Sequence, residues 1–324
     1  MQSMQLEKKK AAFVAVVGRP SAGKSTLVNQ ICGEKVSIVT AVPQTTRNAI
    51  RGIVNREQGQ LVFIDTPGRH KSEKKFNKKL SDISGRAAGE ADMVLYVLDA
   101  SRPPGPEEEE IAALLAPFAA DRLIAAINKI DCLRRTEGSE TNTLPKQQPK
   151  AVDVSGDYSP VYTFLEQTLP ALEKSRCFAI SAKNNEGIEP LLSALYDMAE
   201  VGEPFYGEEY YTDQEVDFRI AEIIREQAIN RLRQEIPHAL YVEIADAEFN
   251  EAEQKLWVRA FIVVERESQK GMVVGKGGAM IKAIRLAALK ELRAIFDWKI
   301  DLDLRVKTGK DWRHNDVILR RITA

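Results

Sequence analysis

Short apolar runs recur along the first part of the chain, and each run is about as long as one buried strand. A continuous apolar run of this length is typical of a parallel strand that is covered on both faces. Polar and helical segments separate the runs, so the pattern predicts an α/β domain with a mostly parallel sheet. The predicted strands cover residues 13–17, 49–57, 60–64, 93–98 and 123–127, and a short turn at 58–59 joins the second to the third.

The pattern changes after residue 200. Residues 202–211 mix Gly, Pro and Tyr, which predicts a linker. Beyond it the periodicity predicts a helix, two alternating strands, a second long helix and a last strand. These elements cover residues 217–235, 239–245, 255–264, 279–296 and 299–306. We therefore predict a first domain over 1–200, a linker over 201–214 and a smaller α+β domain over 215–324.

Residues 134–159 interrupt the first domain with a polar stretch rich in Thr, Pro, Gln, Ser and Gly. The stretch has no apolar period, which predicts an extended surface loop or a partly disordered insertion. A functional loop is the alternative.

Composition limits the classes of protein that fit. The 324 residues leave room for two domains, and 44% hydrophobic with 29% charged residues is typical of a soluble protein. Lys and Arg number 46 against 47 Asp and Glu, so net charge does not indicate a polyanionic partner. The three cysteines are scattered, which favours a reducing compartment over disulfides or a metal site. The polar N-terminus and the short apolar run after it contain no bilayer span, so we expect a cytoplasmic protein.

A glycine-bounded loop, GRPSAGKST at residues 18–26, follows the first predicted strand and opens a helix. Strand, loop and helix in this order predict a P-loop, whose amides cradle phosphate oxygens at the positive end of the helix dipole. We expect Lys24 to reach the outer phosphates and the Ser25 hydroxyl to bind Mg²⁺. The predicted phosphate-binding residues are Gly18, Ser21, Ala22, Gly23, Lys24, Ser25 and Thr26.

The strand at 60–64 ends in Asp65-Thr66-Pro67-Gly68. A carboxylate at the end of a buried strand beside a P-loop is placed to hold Mg²⁺ through water, and the Gly68 amide is placed to meet the γ-phosphate. A threonine upstream completes the metal shell in such sites; Thr46 is the prediction and Thr45 the alternative. The predicted catalytic residues are Lys24, Thr46, Asp65 and Gly68. Residues 69–79 are basic, and both a switch helix and a solvated helix face fit them.

The motif Asn128-Lys129-Ile130-Asp131 follows the strand at 123–127, and it indicates which base the bound nucleotide carries. The Asp131 carboxylate is able to accept two hydrogen bonds from the ring N–H and exocyclic amine of guanine, donors that adenine lacks in that geometry. The Lys129 stem would pack over the ring, and Asn128 would brace the loop. Ser181, Ala182 and Lys183 complete the motif, with the Ala182 amide directed at the guanine oxygen. The sequence therefore predicts a GTP-binding domain, with GTP or GDP and Mg²⁺ as ligands.

The second domain has the element order of a type II KH module around Gly275-Lys276-Gly277-Gly278. In such a module a Gly-x-x-Gly loop clamps the backbone of single-stranded RNA. Residues 271–324 contain twelve Lys and Arg against six Asp and Glu, a formal charge of +6 in a chain of net −1. The predicted RNA-binding residues are Gly275, Lys276, Gly277, Gly278, Lys282 and Arg285. A helix-capping turn followed by a solvated helix face is the alternative.

Together these motifs resemble the Era family of bacterial GTPases, in which a Ras-like GTPase domain precedes a type II KH domain. The resemblance rests on GRPSAGKST, PQTTR, DTPG, NKID and SAK in the first domain, and on EIIRE, EIP and GKGG in the second. It implies a GTP-driven assembly factor of the small ribosomal subunit, whose KH domain binds the 3′ end of the small-subunit RNA. It also implies peripheral association with membrane, and we expect a monomer.

The chain departs from the family at Ser21, where relatives carry an asparagine linked to a potassium ion. Potassium is therefore a further candidate ligand, although the serine at position 21 makes potassium binding less favourable than an asparagine would. Arg69 stands where relatives have an apolar residue, so the group that orients the attacking water is not identified, and we expect slow intrinsic turnover. Two other functions stay open: an RNA-binding module whose nucleotide site only senses, and a KH-bearing GTPase that acts on another RNA.

Overall fold

The computed structural model describes residues 9–43, 45–68, 75–133, 159–233 and 235–322, which form two compact units. The first unit comprises Met1–Ser37 and Thr46–Asp213, and the second Ile38–Thr45 and Gln214–Ala324. Arg69, the start of the basic stretch at 69–79 and nearly all of the insertion at 134–159 lie outside the described residues. Within the described residues no helix is long and apolar enough to cross a membrane.

The first unit is built on a six-stranded sheet of order β2-β3-β1-β4-β5-β6. Only β2, which pairs with β3, runs antiparallel to its neighbour. The strands are β1 Lys10–Val17, β2 Ile50–Arg56, β3 Gly59–Asp65, β4 Met93–Asp99, β5 Leu123–Asn128 and β6 Cys177–Ala179. The helices are α1 Lys24–Cys32, α2 Lys75–Glu90, α3 Pro106–Leu115, α4 Ile130–Leu133, α5 Ser159–Thr168 and α6 Ile188–Met198. The predicted α/β class is confirmed.

A hydrophobic core lies on each face of this sheet. Leu27 and Leu191 pack on one face, and Ile111 and Leu165 pack on the other. All residues of β4 are buried because both of its faces are covered, which explains the continuous apolar run in the sequence. The carboxyl ends of the parallel strands meet at one edge, and the polar motifs follow them there.

Residues predicted as a linker are held along the edge of this sheet. The buried Gln60 side chain donates to the Tyr206 carbonyl at 2.9 Å and accepts from the Phe205 amide at 2.8 Å. The Ile53 amide of β2 donates to the Tyr211 carbonyl at 2.9 Å. The Ile53 bond covers the edge of β2, while the Gln60 bonds hold Phe205 and Tyr206 beside β3.

The second unit contains a three-stranded sheet of order β7-β8-β9, in which β7 is antiparallel and β9 parallel to β8. Its strands are β7 Leu240–Asn250, β8 Lys255–Val264 and β9 Lys299–Thr308. Its helices are α7 Val216–Ile229, α8 Ile236–Ala239, α9 Glu267–Val274, α10 Ala279–Ile295 and α11 Asp316–Ile322. Side chains of α7 and α10 pack with one face of the sheet in a single core that includes Ile224, Val258 and Ile284. The predicted KH element order is confirmed.

Two predicted element boundaries in this unit are wrong. The helix predicted at 217–235 ends at Ile229, and Asn230 is its C-cap. The separate short helix α8 begins at Ile236, with Pro237 in its first turn. The strand predicted at 239–245 continues to Asn250, past a register shift between Ile244 and Asp246. That extension is exposed, so it is held mainly by pairing with β8 rather than by burial.

The segment 38–45 belongs to the second unit and is hydrogen-bonded to helix α7 near both of its ends. The Val39 amide donates to Glu226 Oε1 at 2.9 Å, and Arg225 Nη2 donates to the Thr45 carbonyl at 2.6 Å. Glu222 holds the Arg225 guanidinium from the next turn of α7. The acid–base pattern EIIRE therefore holds main chain rather than forming a solvated helix face.

Candidate functional site

The loop between β1 and α1 closes around a buried lysine. Lys24 Nζ donates to the carbonyl oxygens of Gly18 at 3.0 Å and Arg19 at 2.9 Å. Gly23 has a φ of 96°, and a Cβ there would lie 2.3 Å from Asn128 Nδ2. Only glycine fits this position, because the NKID loop approaches so closely.

The Lys24 ammonium is poised to bind an anion. Burial lowers the pKa of Lys24 to about 8, and the charge of Asp65 partly opposes this effect. A buried cation at a helix N-terminus is stabilised when phosphate oxygens replace the lost water.

Asp65 lies fully buried at the end of β3, and neither of its carboxylate oxygens makes a hydrogen bond within the described part of the chain. Burial raises the pKa of Asp65, while the nearby hydroxyl of Ser25 and the charge of Lys24 lower it. A buried carboxylate without a hydrogen-bond partner is costly unless a cation compensates it. These residues fit Mg²⁺, an ion that prefers oxygen ligands and retains water.

The structure distinguishes between the two candidate threonines. Thr46 Oγ1 lies 3.0 Å from Ser25 Oγ, and Thr46 is buried. The Thr45 hydroxyl instead lies 2.7 Å from Thr40 Oγ1 and donates to the Val42 carbonyl at 2.8 Å. The geometry favours Thr46 as the metal-shell residue.

Gly68 lies directly against the P-loop. A Cβ at this position would lie 2.6 Å from the Cα and the nitrogen of Pro20. The segment before it is fixed by Thr66 Oγ1, which donates to the Val16 carbonyl at 2.7 Å. The Gly68 main chain is thus placed where a terminal phosphate in the P-loop would be reached.

Asn128 joins the three segments of the base site. Its Nδ2 donates to the Ala22 carbonyl at 2.9 Å, and its Oδ1 accepts from the amides of Lys129 at 2.8 Å and Ala182 at 3.0 Å. The predicted bracing residue therefore connects the P-loop, the NKID loop and the SAK loop.

Asp131 is oriented by the SAK loop. Ser181 Oγ donates to Asp131 Oδ1 at 2.7 Å, and the Asn184 amide donates to Ser181 Oγ at 3.2 Å. Asp131 Oδ2 has the Cys132 thiol 3.8 Å away, while Lys183 is exposed. The carboxylate is held in one orientation, as base recognition requires.

Three charged residues beside this site were missed by the sequence analysis. Arg19 lies buried between Glu108 and Asp99, with Nε 2.7 Å from Glu108 Oε1 and Nη2 3.5 Å from Asp99 Oδ2. These contacts are ion pairs without hydrogen-bond alignment, since neither nitrogen makes a hydrogen bond within the described residues. The position of Asp99 at the carboxyl end of a buried strand was the available signal.

In the second unit the predicted RNA loop presents bare main chain. Gly275, Gly277 and Gly278 have φ values of 72°, 58° and 77°, and a Cβ at Gly277 or Gly278 would meet no atom within 4 Å. Lys276 and Lys282 are exposed. Arg285 is half-buried; its Nε donates to the Leu302 carbonyl at 2.5 Å, so its charge is partly engaged with β9.

The fold and these two sites define a class: a P-loop GTPase domain with a guanine-type base site, followed by a KH module. Residues 13–129 match the family described as 50S ribosome-binding GTPase, and residues 235–313 match the KH domain family.

Three relatives that match nearly the whole chain carry the same name. GTPase Era of Treponema denticola is 49% identical over 313 residues, which are 97% of this chain and 99% of the relative. GTPase Era of Treponema pallidum is 45% identical over 93% of each chain. GTPase Era of Borreliella burgdorferi is 40% identical over 97% of this chain and 99% of the relative. This chain belongs to the Era family of GTPases, so the predicted resemblance and enzyme class are confirmed.

Solved structures agree over the same length. An Era crystal structure in complex with MgGDPNP and nucleotides 1506–1542 of 16S ribosomal RNA matches with a TM-score of 0.84 and 29% identity, covering 96% of this chain and 98% of that chain. An Aquifex aeolicus Era variant bound to GDP and AlF₄⁻ matches with a TM-score of 0.84 and 30% identity over the same shares.

Proposed function

We propose that this GTPase hydrolyses Mg²⁺-bound GTP in its first unit and binds a single strand at the 3′ end of small-subunit ribosomal RNA through its KH module, in assembly of the small ribosomal subunit. The observation that carries the proposal is the match, over 96% of this chain, to an Era structure that holds MgGDPNP and a segment of 16S ribosomal RNA. Local geometry in each unit supports the two activities.

We infer one role for each predicted group of the nucleotide site. The P-loop amides and Lys24 hold the phosphates, and Ser25, Thr46 and Asp65 surround the magnesium ion, with Asp65 acting through water. The Gly68 amide senses the γ-phosphate. The oxygens of Asp65 are buried and make no hydrogen bond within the described residues, which supports a cation at this position.

The base site selects guanine through Asp131. Its Oδ1 is fixed by Ser181, so the carboxylate is preoriented for the two nitrogen donors of guanine. The Ala182 amide, the predicted donor to the guanine oxygen, donates to Asn128 Oδ1 at 3.0 Å in this structure, so that bond has to be exchanged before the amide reaches the base. Lys129 and Lys183 line the pocket.

The RNA site uses the loop at Gly275–Gly278 as a backbone clamp. Consecutive left-handed glycines leave space at Gly277 and Gly278 for phosphates, and Lys276 supplies a cation. Lys282 extends the positive field along α10. Arg285 contributes charge while bonded to the Leu302 carbonyl.

Further proposals concern the cellular location, the oligomeric state and the ion dependence of the protein. We infer a cytoplasmic location from the three scattered cysteines, because such a pattern favours a reducing compartment. Peripheral membrane association, a monomeric state and weak potassium dependence stay predictions.

One experiment tests both activities and separates the alternatives. Phosphate release is followed over many turnovers of GTP with Mg²⁺, and labelled 3′-end RNA and a scrambled control are titrated at one fixed salt concentration. Sustained GTP turnover with preferential binding of the 3′-end RNA is expected. Release that stops after one turnover would instead favour a sensing site. Equal binding of both RNAs would overturn the assignment of the target, and sequencing co-purified RNA would then identify another.

A further inference from the structure

Asp99 carries no role in the proposed hydrolysis, yet it lies at the junction of the phosphate and base loops. It is the last residue of β4, and strand pairing places it opposite Asn128, the last residue of β5. Lys129 follows directly, so the register of two parallel strands brings the carboxylate beside the NKID lysine. The Asp99 side chain is 1% exposed.

The two oxygens of Asp99 have separate tasks. Oδ1 accepts from the Ser101 amide at 3.0 Å and from Ser101 Oγ at 2.5 Å, which closes the turn after β4. Oδ2 accepts from Lys129 Nζ at 2.8 Å. Oδ2 also has Arg19 Nη2 at 3.5 Å and Arg102 Nε at 3.4 Å.

Each cation beside Oδ2 comes from a different segment. Arg19 belongs to the phosphate loop, and Lys129 to the loop that determines the base. Lys129 has a φ of 69°, an unusual conformation for a residue other than glycine, so its loop needs outside support. Burial disfavours the charged form of Asp99, but hydrogen bonds from Lys129 and Ser101 outweigh it and lower the pKa of Asp99 below its ordinary value.

We propose that Asp99 is a positioning residue for guanine nucleotide: it holds the Lys129 ammonium so that the lysine stem lies extended along the base. The inference rests on the proposed GTP site and adds a determinant of nucleotide retention. Without the Oδ2 anchor, Lys129 samples other rotamers, and the stem must be ordered again each time a nucleotide binds.

The Asp99→Asn substitution separates the two tasks. An asparagine retains one carbonyl oxygen, which the Ser101 donors hold, and puts an NH₂ group where Lys129 needs an acceptor. The turn is kept while the lysine anchor is lost. Asp92→Asn is the matched control, because Asp92 precedes the same strand and accepts from the Phe13 amide at 2.7 Å, far from the loops.

The experiment measures the dissociation rate and the Kd of GDP on the full chain by displacement of a fluorescent GDP analogue. It compares the wild type with Asp99→Asn, Asp92→Asn, Lys129→Met and the double variant Asp99→Asn/Lys129→Met. Loss of one charge-assisted hydrogen bond predicts a Kd for Asp99→Asn that is about tenfold higher, mainly through faster release. Asp92→Asn should match the wild type. Because Asp99 acts through Lys129, adding Asp99→Asn to Lys129→Met should change Kd less than about twofold.

The outcomes separate two failures. A wild-type protein that binds no GDP would overturn the proposed function itself. Two results would overturn only the role of Asp99, provided that the wild type binds GDP normally. In the first, Asp99→Asn has the wild-type Kd for GDP. In the second, Asp99→Asn raises the Kd as much in the Lys129→Met background as in the wild type. Should Asp99→Asn not fold, unchanged GDP release in Lys129→Met would overturn the role as well.

Discussion

The side-chain oxygens of Ser25 and Thr46 lie 3.0 Å apart, although the two residues are separated by 21 positions in the chain. Both lie beside the buried carboxylate of Asp65. Two hydroxyls and one carboxylate of this kind make an oxygen-rich site that suits a magnesium ion, whose remaining ligands are water and phosphate oxygens. We propose this cluster as the magnesium site, which neither helix α1 nor strand β3 could form alone.

Removing the Thr46 hydroxyl should weaken magnesium binding in the GTP complex. For Thr46→Ala we expect the apparent affinity for Mg²⁺ to fall by roughly ten- to a hundredfold, the range for losing one group around a metal site. Hydrolysis of GTP measured against Mg²⁺ concentration checks this. Thr45→Ala is the matched control, since that hydroxyl bonds within its own loop, and an equal loss in both variants would contradict the choice of Thr46.

Asp131 should determine base choice. In Asp131→Asn the amide NH₂ faces the guanine donors, and we expect GTP affinity to fall by a factor that corresponds to roughly 1–3 kcal/mol. A xanthine nucleotide, with a carbonyl in place of the exocyclic amine, should bind the variant better than GTP. Competition binding of both nucleotides checks this, and unchanged GTP affinity without a change of preference would refute the assignment.

GDP affinity should fall as pH rises above about 8. Burial lowers the pKa of Lys24 to about 8 in this structure, so the free protein loses this cation as pH rises through that value. The diphosphate requires the cation and raises its pKa when bound, so binding takes up a proton above pH 8 and affinity declines by up to about tenfold per pH unit. Calorimetry in two buffers of different ionisation enthalpy measures the uptake. Lys24→Met should show no such uptake; an equal uptake in that variant would assign the proton to another group.

Ser21 should make hydrolysis less dependent on potassium than in relatives with asparagine. A serine hydroxyl is shorter than an asparagine amide, and it therefore reaches less far toward an ion that bridges the phosphates. Ser21 is exposed with a φ of 62°, a conformation that asparagine adopts readily, so Ser21→Asn should fold normally and gain potassium stimulation. Rates in KCl and NaCl check this. Strong potassium activation of the wild type would refute the proposal.

Two aspartates in the KH loop should abolish most RNA binding while GTP hydrolysis stays nearly unchanged. The Lys276→Asp/Gly277→Asp variant removes one positive and adds two negative charges. The added side chain has open space at Gly277, and aspartate is among the residues that best tolerate the φ of 58° there. We expect affinity for 3′-end RNA to fall ten- to a hundredfold, or about 1.4–2.8 kcal/mol. Lys290→Asp/Ala294→Asp makes the same charge change at exposed positions of α10 and is the control. Equal losses in both variants would show that net charge alone, and not the loop, explains the binding.

The sequence alone determined the class of both domains and nearly every candidate residue. The motif residues follow strand ends, and parallel strands bring their carboxyl ends to one edge, so order along the chain already implies proximity. Apolar runs such as 93–98 predicted buried strands because both faces of a parallel sheet are covered. The family resemblance implied what local patterns do not encode, the RNA that we propose as the target.

Only the tertiary structure decided which of two neighbouring threonines faces Ser25, because a one-residue shift in an irregular loop leaves no periodic signal. The role of Asp99 likewise depends on the register of β4 with β5, a relationship between distant segments. The placement of residues 205–211 along the first sheet was set by tertiary hydrogen bonds. Local sequence encodes how a segment folds, whereas pairing between segments determines what each side chain meets.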